Sequence, residues 1–314
     1  MIPTVGTAQA KLILVGEHWV LDGALALAVA VPAWQTRVTL QGVGRSGDPV
    51  TVRWQDLVEG ADLALAHRML ELACSQAEHR PEVVAVASSV PVRRRLGSSA
   101  ALAVALVRAF AKAAGKALDD ETMLRRARQL EDCVHGTSSG LDPAAASADR
   151  GAVLFGHGEI VLRVPAVSPA LAKARWVLAD TGSGAATRIA IDRARAARIA
   201  MAETTYKRWR HTVDEAAVRA AQALEHGDFD DLAASLHAAG EAIEPLDIAS
   251  DPTTTALRIL HSAGAAAAKL TGAGLGGTVV GLARDPQCAD RMAAAVRDAG
   301  LGAFIFPLVA SAGD

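Results

Sequence analysis

At 314 residues, 51% of them apolar, the chain is long enough to bury one large core or two ordinary ones, and two domains are expected. Acidic residues outnumber basic ones 34 to 32, for a formal charge of -2 without long blocks of one sign, which argues against a nucleic-acid binder held by backbone phosphates. The longest apolar runs, Ala24 to Val31 and Ala100 to Val107, fall far short of the roughly 18 to 20 residues of a membrane span. Met1 to Ala10 has neither a basic n-region nor an uninterrupted apolar stretch, so no secretory signal is read and a cytoplasmic protein is expected. Cys74, Cys133 and Cys288 are widely spaced and form no CxxC, which speaks against structural zinc or a disulfide framework. Of the 32 basic residues only six are lysine, so a lysine inside a motif carries extra weight.

The first third reads as strands, at Leu12 to Val15, Ala24 to Val31 and Arg37 to Leu40. A helix is predicted from Ala61 to Glu78, a strand over Val83 to Ala87, and a loop over Pro91 to Gly97. The helix from Ser98 to about Ala114 is apolar all round until Arg108, so it belongs in the interior. A charged helix over Glu121 to His135 leads into a loop from Gly136 to Pro143. Strands follow at Ala152 to Phe155, Ile160 to Val164 and Trp176 to Ala179, then a loop over Asp180 to Ala186. From Thr187 to His226 the pattern turns helical, which places the domain boundary near 182, dividing the chain into 1–182 and 183–314. Helices near 229–242, 252–264 and 287–299 and strands at Thr278 to Ala283 and Ala303 to Leu308 complete an α+β pattern.

Three segments carry chemistry. Leu96-Gly97-Ser98-Ser99-Ala100-Ala101 opens the buried helix, where free amides and the positive end of the helix dipole suit a phosphate; a plain helix cap by Ser98 or Ser99 is the alternative. Lys269 to Gly277 contains a formal G-x-G-x-x-G at Gly272, Gly274 and Gly277. It runs into a strand where a dinucleotide fingerprint should open a helix, which argues against that reading; a tight turn with close backbone packing is the plainer one and does not exclude contact with substrate or phosphate. Glu131 to Pro143 ends a helix and sets Asp142 in a Gly/Ser-rich loop, where it is either a functional carboxylate or a loop-stabilising Asx residue before proline. Near the N-terminus, Lys11 to Gly23 joins a strand to a turn bearing Glu17 and His18.

Together and in this order these segments resemble the GHMP kinase superfamily, in particular its mevalonate-phosphorylating members. Ala10-Lys11 followed by Gly16-Glu17-His18 and Gly23 matches the first motif, and Pro91 to Ala101 the phosphate motif Pro-x-x-x-Gly-Leu-Gly-Ser-Ser-Ala-Ala. Ser139-Gly-Leu-Asp142-Pro and Lys269-Leu-Thr-Gly-Ala-Gly274 complete the set. The resemblance spans residues 11 to 277 and implies an N-terminal ribosomal-protein S5-like domain, a C-terminal ferredoxin-like domain and a site in the cleft between them. It implies ATP-dependent phosphorylation of the mevalonate primary hydroxyl to 5-phosphomevalonate, with Mg²⁺ as cofactor. By the same carry-over Asp142 accepts the hydroxyl proton and Lys11 lowers that hydroxyl's pKa and stabilises the transferred phosphoryl group. Ser99 and Glu131 ligate Mg²⁺, and Ser88 with Arg93, Arg94, Arg95, Leu96, Gly97, Ser98 and Ser99 line ATP. Glu17, His18, Thr187, Gly272 and Ala273 face mevalonate.

The chain departs from the family pattern in carrying Arg93-Arg94-Arg95 where small residues are usual, and Ala10 and Leu275 where glycines are usual. One or more of these arginines is expected to reach the ATP phosphates or solvent. The rival readings are another member of the superfamily, acting on phosphomevalonate, diphosphomevalonate, a sugar or homoserine, or a non-catalytic binding protein of the same fold. Neither a nucleic acid nor a membrane is expected as partner, and the resemblance leaves a homodimer open.

Overall fold

The computed structural model describes residues 3–44, 48–55, 61–78, 80–92, 94–136, 138–182 and 187–309, leaving out the side chains of 61, 62, 134, 135 and 187. By contacts it divides into two compact units. The first comprises Met1–Lys11, Ala30–Val92 and Leu96–Asp149; the second comprises Leu12–Val29, Arg93–Arg95 and Arg150–Asp314. Among the described residues no helix is long and apolar enough to cross a membrane.

Two long strands contribute to both units: β1 (Thr4–Val15) and β2 (Ala26–Gln41), which pair with each other. The expected break between Val15 and Ala24 occurs, but that between Val31 and Arg37 does not. Pro32 and Gln35 interrupt the apolar pattern, but β2 runs through them as one strand because its outer half alternates buried and exposed side chains, a period that a search for apolar runs misses. In the first unit β4 (Val83–Ser88) lies antiparallel to the outer half of β2 and parallel to β3 (Thr51–Gln55), a half-exposed strand too polar to read from sequence. Helices α1 (Ala61–Ser75), α2 (Ser98–Ala113) and α3 (Asp120–His135) follow, with α2 enclosed along most of its length as its composition requires. After α3 the expected loop is cut short. Gly140, at φ 93°, turns the chain into a seven-residue helix, α4 (Leu141–Ser147), whose first turn tolerates Pro143 because a residue there needs no N–H to make an intrahelical bond.

In the second unit the start of β2 pairs with β5 (Ala152–Gly156), and β5 with β6 (Glu159–Val164). The rest is a split βαββαβ arrangement: β7 (Arg175–Asp180), helices α5 (Thr187–Ala200), α6 (Glu203–His226), α7 (Phe229–Ile243) and α8 (Asp251–Ser262), the hairpin β8 (Ala267–Thr271) and β9 (Thr278–Ala283), α9 (Pro286–Asp298) and β10 (Gly302–Pro307). The antiparallel order β10-β7-β9-β8 is the ferredoxin-like one. Its apolar layer is closed by α8 and α9, through Leu260, Met292 and Val296 against Val177 and Val279. This sheet begins at Arg175, ahead of the division at 182. An apolar strand shows its face in sequence but not the sheet it will join.

The glycine-rich stretch Gly272 to Gly277 is the hairpin loop between β8 and β9. Gly272, Gly274, Gly276 and Gly277 all have positive φ, so the G-x-G-x-x-G match reflects a left-handed turn. No helix follows it, and the dinucleotide reading falls.

Candidate active site

In the first unit the expected residues Lys11, Gly97, Ser99, Glu131 and Asp142 meet. Lys11 is fixed by its strand, its amide donating to the Leu96 carbonyl at 2.9 Å, and its side chain is 3% exposed. Its Nζ lies 2.9 Å from Asp142 Oδ2. Gly97, at φ 73°, forms the N-terminal boundary of α2, and a Cβ built there would stand 2.7 Å from Lys11 Cγ. The glycine is therefore required twice, by its backbone angle and by the lysine stem lying against it. No side chain caps α2, so the capping alternative for Ser98 and Ser99 is not what the helix uses. The first amides of a helix have no acceptor within the helix itself. The Ser99 hydroxyl instead bonds the Glu131 carboxylate.

Glu131 comes from the inner face of α3 and is 3% exposed. Burial, then the neighbouring charge of Asp142, pushes its carboxyl up to about 7, against the lowering influence of the Ser99 bond and of Lys11. Its Oε1 has no hydrogen-bond partner among the described residues. Asp142 sits in the first turn of α4, where the helix dipole favours a carboxylate. The Ser139 hydroxyl accepts from the Leu141 amide at 3.2 Å and that of Ser138 from Gly140 at 3.1 Å, so the serines of this segment shape the turn that presents Asp142.

In the second unit Glu17 and His18 follow β1 on a tight turn closed by the 3₁₀ segment Trp19–Asp22. Glu17 is ion-paired with Lys269 of β8, both nearly inaccessible. Glu17 Oε2 remains without a partner among the described residues. His18, at φ 63°, donates from Nε2 to the Ala273 carbonyl at 2.9 Å. Burial lowers its pKa to about 4, opposed by that bond and assisted by the charges of Arg198 and Arg95, so the ring is neutral at pH 7 and Nδ1 is a bare acceptor. The turn is held from outside by the Trp19 indole donating to Ala242 O at 3.0 Å and by an ion pair between Asp22 and Arg198 of α5.

Arg94 and Arg95 are engaged within the same unit. Arg94 Nε lies 2.7 Å from Asp180 Oδ2, and its carbonyl accepts from Thr278 Oγ1 at 2.8 Å. Arg95, at φ 62°, lies over the hairpin loop, its Cβ 3.0 Å from where a Cβ on Gly272 would stand and its Nε 3.3 Å from one on Gly277. Arg93 lies outside the described residues, and of Thr187 only the backbone, as first residue of α5, is described. Ser88 ends β4 with its hydroxyl 2.8 Å from Thr36 Oγ1, and Leu96 is buried. Sequence reasoning did not single out Lys269 as the partner of Glu17, although the scarcity of lysine marked it. Arg198 and Asp22 gave no signal, since α5 is crowded with arginine.

Two family models match the chain, GHMP kinases N terminal domain over residues 63–151 and GHMP kinases C terminal over 220–302. A mevalonate kinase of Aeropyrum pernix is 30% identical over 298 residues, covering 90% of this chain and 89% of its own. The crystal structure of mevalonate kinase from methicillin-resistant Staphylococcus aureus is 27% identical, with a TM-score of 0.68 over 98% of this chain and 99% of that one. That of L. major mevalonate kinase in complex with R-mevalonate shares the fold at a TM-score of 0.79 and 22% identity, over 99% and 97% of the two chains. The chain belongs to the GHMP kinase family.

Proposed function

We propose that the chain is an ATP-dependent mevalonate kinase, transferring the terminal phosphoryl group of ATP to the primary hydroxyl of mevalonate and releasing 5-phosphomevalonate and ADP. The pairing of buried Lys11 with Asp142, in a chain 30% identical to a mevalonate kinase over 298 residues, carries this reading. Asp142 takes the proton of the attacking hydroxyl. Lys11, held beside it, lowers that hydroxyl's pKa and stabilises the charge that develops on the transferred group. The amides of Gly97, Ser98 and Ser99 at the start of α2 take the phosphate oxygens, with Ser88 and Leu96 lining the nucleotide.

The residues present fit Mg²⁺. Glu131 keeps a buried oxygen without a partner, and the Ser99 hydroxyl is bonded to the same carboxylate, giving two protein oxygens to an ion that otherwise prefers phosphate and water. Ser99 and Glu131 would hold the ion, which when bound would neutralise phosphate charge. Glu17, His18, Gly272 and Ala273, with Thr187, recognise the hydroxy acid. Arg94 is neutralised by Asp180, which disfavours a phosphorylated substrate at that cation.

ADP release measured in a coupled assay with mevalonate, phosphomevalonate, galactose and homoserine tests the reading. Mevalonate should exceed each of the others by at least about tenfold in kcat/KM, because a site built around a substrate's polar groups rejects analogues that leave those groups unpaired. Preference for any of the other three acceptors would overturn it.

A further inference from the structure

Around the turn that carries Glu17 and His18, three buried polar atoms have no hydrogen-bond partner among the described residues: Glu17 Oε2, His18 Nδ1 and Arg198 Nη1. Their characters differ. With Nε2 committed as a donor to Ala273, His18 Nδ1 can only accept, and the Glu17 carboxylate likewise accepts. Arg198 Nη1 is a cationic donor. It lies at the end of a side chain 3% exposed, oriented through Nε and Nη2 by the two oxygens of Asp22, which closes the same turn. A buried charged donor left without an acceptor is costly, and Asp22 cannot relieve Nη1 while it holds the other two nitrogens.

Two acceptors and one guanidinium donor are the complement of a hydroxy acid, whose hydroxyl donates and whose carboxylate accepts. We infer that Arg198 reads the carboxylate of the substrate through Nη1 and determines specificity for an acid over a neutral alcohol, with Asp22 as the residue that positions it. The inference rests on the function proposed above and adds a residue outside the four motifs that supported it. A plain strut between α5 and the turn is the competing role, and the two separate by substrate.

The test measures KM and kcat for mevalonate and for its neutral amide, in which carboxamide replaces carboxylate, on the wild type, R198K, R198M and R193Q. R193Q, on the same helix as Arg198, removes an exposed ion pair with Asp247 and should behave as wild type. The wild type should bind the amide at least about tenfold more weakly than the acid, since a charge-assisted bond is lost. R198K and R198M should raise KM for mevalonate by about 10- to 100-fold with kcat changed far less, while KM for the amide stays within about threefold. Equal losses on both substrates, or a wild type that treats acid and amide alike, would overturn the role of Arg198 while leaving the kinase assignment standing. The second outcome needs no variant and holds even if substitutions at 198 prevent folding. A wild type without turnover on mevalonate would overturn the function and this inference together.

Discussion

Two buried lysines, each ion-paired to a carboxylate, have opposite surroundings. Lys11 is 3% exposed and Lys269 fully enclosed, but Asp142 is 36% exposed whereas Glu17 is 1% exposed. The first pair therefore leaves its carboxylate within reach of an incoming molecule, and the second is closed apart from one orphan oxygen. An ion pair open on one side is suited to moving a proton. One closed on all sides serves to hold geometry, because separating its charges leaves an uncompensated ion in the interior.

The widest expected separation between the pairs comes from breaking each in turn. Asp142→Asn should lower kcat by about 10²- to 10⁴-fold, with the melting temperature and KM for ATP little changed, as for loss of a proton acceptor. A variant with kcat near wild type would make the open pair structural too. Lys269→Met strands Glu17 in the interior and should cost about 3–5 kcal/mol in urea unfolding. Should stability survive with only KM altered, Glu17 would serve recognition without holding the turn, and the contrast would weaken. The smallest effect comes from His18, beside the closed pair. The unfolded ring takes up a proton near 6.5 and the folded ring near 4, so acidification through that window favours unfolding. A shift of this size corresponds to about 3 kcal/mol, present above pH 6.5 and lost toward pH 4, and His18→Gln should flatten that part of the stability profile.

The open cluster was legible because its residues stand in segments whose local pattern and order are distinctive, from Lys11 through Ser99 and Glu131 to Asp142. The helices were legible too, from their period and their length. What escaped was set by pairing across the chain. The outer half of β2 alternates instead of running apolar, β3 is a half-exposed strand held by β4, and α4 starts where a glycine permits the turn. Asp22 and Arg198, 176 positions apart, have no shared local pattern, so only the folded chain brings the aspartate of a turn onto the arginine of α5. The left-handed angles of Arg95 and Leu275 were similarly hidden, since neither residue type advertises a positive φ.

The contact between Gly97 and the stem of Lys11 also sets a tolerance. Methylenes already fill the room that even an alanine methyl would need, so the amide corner and the ammonium are spaced by touching matter rather than by a flexible hinge. A single added carbon there would push on both the first turn of α2 and the stem of Lys11. Residue 97 is thereby a gauge block: its missing side chain sets how closely the start of α2 and the lysine stem can approach.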